Sequence, residues 1–221
     1  MASVKSGRDD LKIQTDVLDE LNWDPRFAPA EVGIEVDEGV VTLRGTVSSY
    51  AKLRAAETLA ARVAGVIAVH DHLEVLTAPE DDVELGRRAA LALSLDADVP
   101  EGALTCAVRD GVLTLRGAVD HDYQRRAAEH AVSRLAGVRE LAMDVEVRGH
   151  TRDDAETLSD LRSALQRRVP WVNLVGFSVQ SGVVTLSGWV RSLADRATIE
   201  ETAWRTRGVR HVIDRVIVMG T

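Results

Sequence analysis

The polar and apolar positions of this chain form one pattern, repeated three times. In the first copy Ile34 and Val36 alternate with polar neighbours, Glu38-Gly39 interrupts them, and Val41 and Leu43 resume the alternation towards Gly45. Period-two alternation on both sides of an acidic-Gly pair predicts a β-hairpin, because glycine tolerates the positive φ of a tight turn. From Ser48 to Ala64 the apolar residues Leu53, Ala56, Ala60 and Val63 are spaced by three and four. That spacing predicts an amphipathic helix, ended by Gly65 as its C-cap. A further strand follows, with apolar residues at Val66, Val69, Leu73 and Val75. Ahead of the hairpin, Asp10 to Leu21 predicts a leading helix. Asp9 and Asp10 suit its N-terminal dipole, and Pro25 and Pro29 break the chain after it.

The segment from Glu38 to Gly45 recurs from Asp110 to Gly117 and again from Ser181 to Gly188. The leading glycines Gly39, Gly111 and Gly182 stand 72 and 71 residues apart, and Gly65, Gly137 and Gly208 each follow 26 residues later. Constant internal spacing in three copies marks three homologous units of about 70 residues, near the lower limit for a self-sufficient core. The second and third leading helices are expected at Asp82 to Leu95 and Asp153 to Val169, with Pro100 and Pro170 behind them. The second helices are expected at Asp120 to Ala136 and Arg191 to Arg207. The predicted class is α+β: three tandem two-layer αββαβ domains, each a three-stranded mixed sheet with two helices on one face. They are expected to span residues 8–78, 80–149 and 152–221.

The order αββαβ, the hairpin Gly-Val-Val-Thr-Leu-Arg-Gly, the Ala-rich helix and the closing Gly-Val-x-x-Val resemble the BON domain family over nearly the whole chain. The resemblance implies a non-enzymatic binding protein of the kind associated with the bacterial envelope and osmotic stress, acting chiefly on phospholipid surfaces. An ion-binding role in some members is implied as well. The expected function is therefore peripheral binding to anionic phospholipid. A soluble scaffold or ion-sensing module without membrane contact is the alternative. No cofactor and no metal are expected, and the expected partner is an anionic membrane surface or another protein.

Composition narrows the remaining chemistry. Apolar residues make up 45% and charged residues 28%, with a net charge of −8, which argues against a broad basic surface for nucleic acid. The RNA-binding KH arrangement needs a Gly-x-x-Gly loop, and the sequence has none. Phosphate loops, nucleophile elbows and His-Glu-x-x-His are also lacking. No run of about 20 apolar residues is present. The opening MASVKSGRDD leads into no continuous apolar segment, so a cytoplasmic location is expected, peripheral at the membrane, and periplasmic only if a signal peptide has been removed.

Cys106 stands where the other copies have Ile34 and Phe177, so a structural thiol is expected rather than a nucleophile. His70 and His72 share one face of a strand, the face opposite Leu73 and Val75, and are expected on the exposed side. Glu57, Glu129 and Glu200, with Arg62, Arg134 and Arg205, recur in all three second helices and point to fold-serving ion pairs.

Charge is uneven. Residues 1–78 carry 8 basic against 13 acidic side chains, residues 79–149 carry 9 against 14, and residues 150–221 carry 10 against 8, all ten of them arginine. Arg162, Arg167, Arg168 and Trp171 are therefore the candidate lipid-binding residues, guanidinium pairing with phosphate and indole sitting at headgroup level. Arg167 and Arg168 also suit a helix C-terminus, and Trp171 also suits a core.

Overall fold

The computed structural model describes residues 10–28, 31–78, 80–149, 152–169 and 175–219. Pro29, Pro170, Asp9 and Trp171 lie outside the described residues. The first unit consists of α1 (Asp10–Trp23), β1 (Val32–Asp37), β2 (Val40–Val47), α2 (Tyr50–Arg62) and β3 (Ala68–Val75). The second consists of α3 (Asp82–Leu95), β4 (Leu104–Arg109), β5 (Val112–Val119), α4 (Asp122–Ser133) and β6 (Glu140–Val147). The third consists of α5 (Asp154–Arg168), β7 (Val175–Gln180), β8 (Val183–Val190), α6 (Leu193–Trp204) and β9 (His211–Val218). The αββαβ order is thus present in all three copies.

Each sheet is mixed. The central strand pairs antiparallel with its hairpin partner and parallel with the last strand of the unit. In the first unit Leu43 lies opposite Ile34 and Val41 opposite Val36 and Val69, so one parity of the pleat carries the apolar set. Against it pack Ile13, Val17 and Leu21 of α1 and Leu53, Ala56 and Ala60 of α2. The alanines let α2 approach the sheet closely. Fully burying a leucine such as Leu43, Leu115 or Leu186 is worth about 1.5–3 kcal/mol each.

The hairpin turns need two consecutive residues in the left-handed region. Glu38 and Gly39 have φ of 49° and 80°, and Asp110-Gly111 and Ser181-Gly182 repeat this within a few degrees. This is the turn that matches strand twist, and only its second position is glycine. The acidic pairs at the starts of α3 and α5 divide their work. Asp81 and Asp153 cap α3 and α5 through the N–H groups of Val83 and Ala155. The following Asp82 accepts the N–H groups of Asp110 at 2.7 Å and Gly111 at 3.0 Å, so the carboxylate clamps the hairpin turn. Asp10 and Asp154 make the same two bonds in their units.

Two expectations about the second helices are corrected. They are shorter than the apolar spacing suggested: Ser49 and Ser192 cap α2 and α6 with their side chains, and His121 stands at the N-cap of α4. The C-cap of α2 is Val63, not Gly65. Gly65, with φ of 90°, belongs to the turn after it, closed by the Val66 N–H on the Val63 carbonyl.

The three units pack on one another through α2, α4 and α6. Tyr50, at the start of α2, packs against the core of the second unit, and Leu193, at the start of α6, against that of the first. At the equivalent position of the second unit stands Asp122, buried and ion-paired with Arg125 and Arg126 at 2.7 and 2.6 Å. These two arginines reach the third unit. Arg125 lies 5.6 Å from the Trp204 ring centre, and Arg126 lies 3.9 Å from Glu201. Arg54 reaches from α2 to Glu129 of α4, also at 3.9 Å. Each second helix therefore presents its N-terminal half to the next unit in a cyclic order.

Candidate functional site

The third unit carries the only positive balance, and the fold decides where its arginines go. Helix α5 buries Leu161 and Leu165, leaving Arg162, Arg167 and Arg168 exposed. Arg162 turns towards its own sheet, with its guanidinium 5.8 Å from the Phe177 ring centre. Arg167 and Arg168 instead line a cleft of about 390 Å³ between α5 and the end of α6, together with Arg205 and Arg207. Asp160 also lines the cleft but is held by Arg152 at 2.5 Å, and Arg205 is held by Glu201 at 3.0 Å. Among the described residues, Arg167, Arg168 and Arg207 have no ion-pair partner.

Four guanidiniums at one cleft repel one another. Both pairs sit at helix C-termini, whose partial negative charge offsets part of that repulsion without using the arginine donors. The planar, multi-donor guanidinium fits phosphate oxygens in bidentate fashion. The arrangement is suited to an anion that bridges the two helices. Of the sequence candidates, the structure brings together Arg167 and Arg168, places Arg162 elsewhere, and leaves Trp171 outside the described residues. Arg205 is legible in the sequence only as a recurring ion-pair residue, and Arg207 not at all, because nothing local links either to Arg167, about 40 residues earlier.

The opposite side of this unit is also distinctive. On the outer face of its sheet Trp189 stands opposite Ile217, with Ile213 on one side, beyond the exposed Arg215, and exposed Met219 on the other. The same positions are Thr46, Glu74, His70 and Leu76 in the first unit and Ala118, Glu146, Ala142 and Arg148 in the second.

Elsewhere the geometry offers little chemistry. His70 and His72 are exposed on β3, and no cluster of three or more His, Cys, Asp or Glu suited to a metal occurs among the described residues. Cys106 is half-buried, its thiol donates to the Gly86 carbonyl at 3.5 Å, and burial raises its pKa above the usual thiol range. The recurring glutamates are placed unequally. Glu57 pairs with Arg54 in its own helix at 2.6 Å, whereas Glu129 meets that arginine from the next unit. No helix among the described residues is long and apolar enough to cross a membrane.

Three tandem units of this topology define a repeat protein of small αββαβ modules, and comparison with known proteins assigns the module. The BON domain profile matches residues 9–77, 81–149 and 153–220, and the chain belongs to the BON domain family. It is similar to the osmotically-inducible protein Y of Escherichia coli (strain K12), 30% identical over 155 residues that span 67% of this chain and 77% of that protein. Among solved structures, CdsD of the type III secretion system of Chlamydia trachomatis aligns at 16% identity and a TM-score of 0.26, covering 94% of this chain and 92% of that one. The periplasmic domain of the inner membrane protein PrgH of S. typhimurium aligns at 12% identity and 0.22, covering 85% and 99%. No catalytic family is among these matches.

Proposed function

We propose that this chain is a non-enzymatic, osmotic-stress-associated protein that associates peripherally with anionic phospholipid through its third BON unit. The stress association rests on the similarity to the osmotically-inducible protein. The observation that carries the lipid reading is the cleft holding Arg167, Arg168, Arg205 and Arg207, three of them unpaired among the described residues. Each basic residue beside an anionic surface contributes about 1 kcal/mol, falling off within a Debye length of about 8–10 Å. Three free arginines thus support weak binding, opposed by the net negative first and second units. The association is salt-sensitive for the same reason.

Co-sedimentation of the full chain with phosphatidylglycerol vesicles, against phosphatidylcholine vesicles, tests this. Binding to the anionic vesicles alone is expected, with release in about 0.5 M salt, where screening is nearly complete within a few ångströms. The double substitution Arg167→Glu with Arg168→Glu should abolish binding while Arg162→Glu leaves most of it. Binding that survives the double substitution but is lost in Ile217→Glu would move the contact to the outer sheet face. A chain that stays in the supernatant in low salt overturns the reading and favours the soluble scaffold.

A further inference from the structure

The three units act as internal references for one another, and one place is lined by larger side chains in the first unit than in the second. Behind α1 the chain turns back through Phe27, whose N–H donates to the Asp24 carbonyl at 3.1 Å; Val99 donates to the Asp96 carbonyl at 3.1 Å in the second unit. The next turn is also shared, Glu31 to Ala28 and Ala103 to Pro100, at 3.1 and 3.2 Å. The backbones correspond, so side-chain differences here are differences in filling.

In the first unit Gln14, Phe27 and Ile34 meet at the seam between α1 and β1, and Leu18 of α1 is 40% exposed. Phe27 is 7% exposed, and Gln14 Nε2 donates to the Ile34 carbonyl at 2.7 Å. The corresponding residues between α3 and β4 are Gly86, Ala90, Val99 and Cys106. All four are smaller. Beside them lies a half-open cavity of about 340 Å³ whose apolar wall is Ala90, Leu93, Val99, Pro100, Leu104 and Cys106. In the third unit Phe177 takes the place of Cys106.

We propose that this cavity of the second unit binds a small uncharged apolar ligand built on a single ring, seated where the Phe27 ring lies in the first unit. Cavities of 300–1,000 Å³ with mainly apolar walls and few polar groups are the usual form of small-molecule sites. The rim selects against anions: among the described residues Glu101 is the one charged side chain lining the cavity, and residues 79–149 carry 9 basic against 14 acidic side chains. The rim hydroxyls are spent as donors, Ser94 to the Leu91 carbonyl and Thr105 to the Arg116 carbonyl, so they do not anchor a charged head. Recognition is by shape and desolvation.

The test uses the full chain, with toluene as probe and benzoate and 1-heptanol as comparison arms. Methyl resonances of Leu93, Val99 and Leu104 are followed by NMR, together with the rate at which iodoacetamide alkylates Cys106, the only cysteine. Toluene should shift these methyls saturably and slow the alkylation at least threefold. Val99→Phe with Cys106→Ile, which installs the first unit's own side chains, should weaken toluene binding at least tenfold and raise Tm. Ala90→Leu, a smaller filling, should also weaken it and serves if the double variant loses its fold. Absence of saturable shifts in the natural chain, or affinity within twofold in a folded filled variant, overturns the proposal. Benzoate binding as tightly as toluene overturns the selection against anions, and heptanol binding in preference to toluene overturns the ring.

Discussion

The carboxylate of Asp154 accepts the backbone N–H of Gly182 at 3.0 Å, joining the first turn of a leading helix to a hairpin turn 28 residues later. Its other oxygen takes the N–H of Ser181 at 2.7 Å. The relationship recurs at Asp10 and Asp82, so each unit locks its hairpin onto its leading helix by one carboxylate with two donors. Charge-assisted bonds to turn N–H groups are among the stronger local contacts.

Asp82→Ala removes both acceptors at the Asp110-Gly111 turn and is expected to cost about 1–3 kcal/mol. Asp82→Asn, which retains only one carbonyl oxygen, should fall between. Urea denaturation read by circular dichroism measures the order. A loss within error of zero for Asp82→Ala would show that the turn conformation is held by the hairpin alone.

The same clamp makes stability depend on acid. Hydrogen bonds from the Gly182 and Ser181 N–H groups hold the Asp154 carboxyl below its usual range. A group whose folded pKa is depressed stabilises the fold above its unfolded pKa, about 3.9, and that contribution fades as pH falls through the folded value. Glu57 works the other way, since burial raises its pKa against the pull of Arg54. Asp154→Asn should flatten the loss of stability below pH 4, and Glu57→Gln should remove a gain on acidification. Denaturant midpoints across pH 2–7 give both signs.

Asp122 organises the joint between the second and third units through Arg125 and Arg126. Its side chain is 2% exposed while the arginines are 25% and 38% exposed. Asp122→Ala should therefore cost about 2–3 kcal/mol, less than breaking a wholly buried pair. It should also release Arg125 from Trp204, and hydrogen exchange in α6 should quicken relative to α1. Equal exchange in both helices would place the effect inside the second unit only.

Cys106 should be a slow nucleophile. Burial raises its thiol pKa, so less thiolate exists at neutral pH than in a free cysteine. Alkylation at pH 7.5 is expected to be several-fold slower than for a cysteine peptide and to reach the peptide rate in urea. A native rate above that of the peptide would point to activation by a neighbour that the structure does not contain.

Excising residues 150–221 as a separate lipid-binding fragment is a poor test in light of the packing. Leu193 rests on the first unit's core and Trp204 on Arg125 of the second, so excision exposes both. Charge-reversal in the full chain keeps those contacts.

The repeat, the element order and the core parity were legible in the chain because they are local. Alternation around Glu38-Gly39 and the three-four spacing of Leu53, Ala56 and Ala60 are imposed by strand and helix geometry within a dozen residues. The acidic start of the leading helix, as at Asp10, is legible as a dipole partner, but nothing local shows that Asp82 reaches Gly111. Arg167 and Arg168 could be picked out for charge, whereas their meeting with Arg205 and Arg207 could not.

Period and spacing along the backbone therefore settled which segments become helix or strand and which side of each is buried. Folding settled which surfaces meet: the cyclic contact of α2, α4 and α6, the gathering of arginines from two helix ends, and the cavity at Val99. The reason is physical. Secondary structure follows from neighbours a few residues apart, while a cleft or a joint depends on distances between side chains tens of residues apart. Those distances are set by how closely the small and large core residues allow helices and sheets to approach.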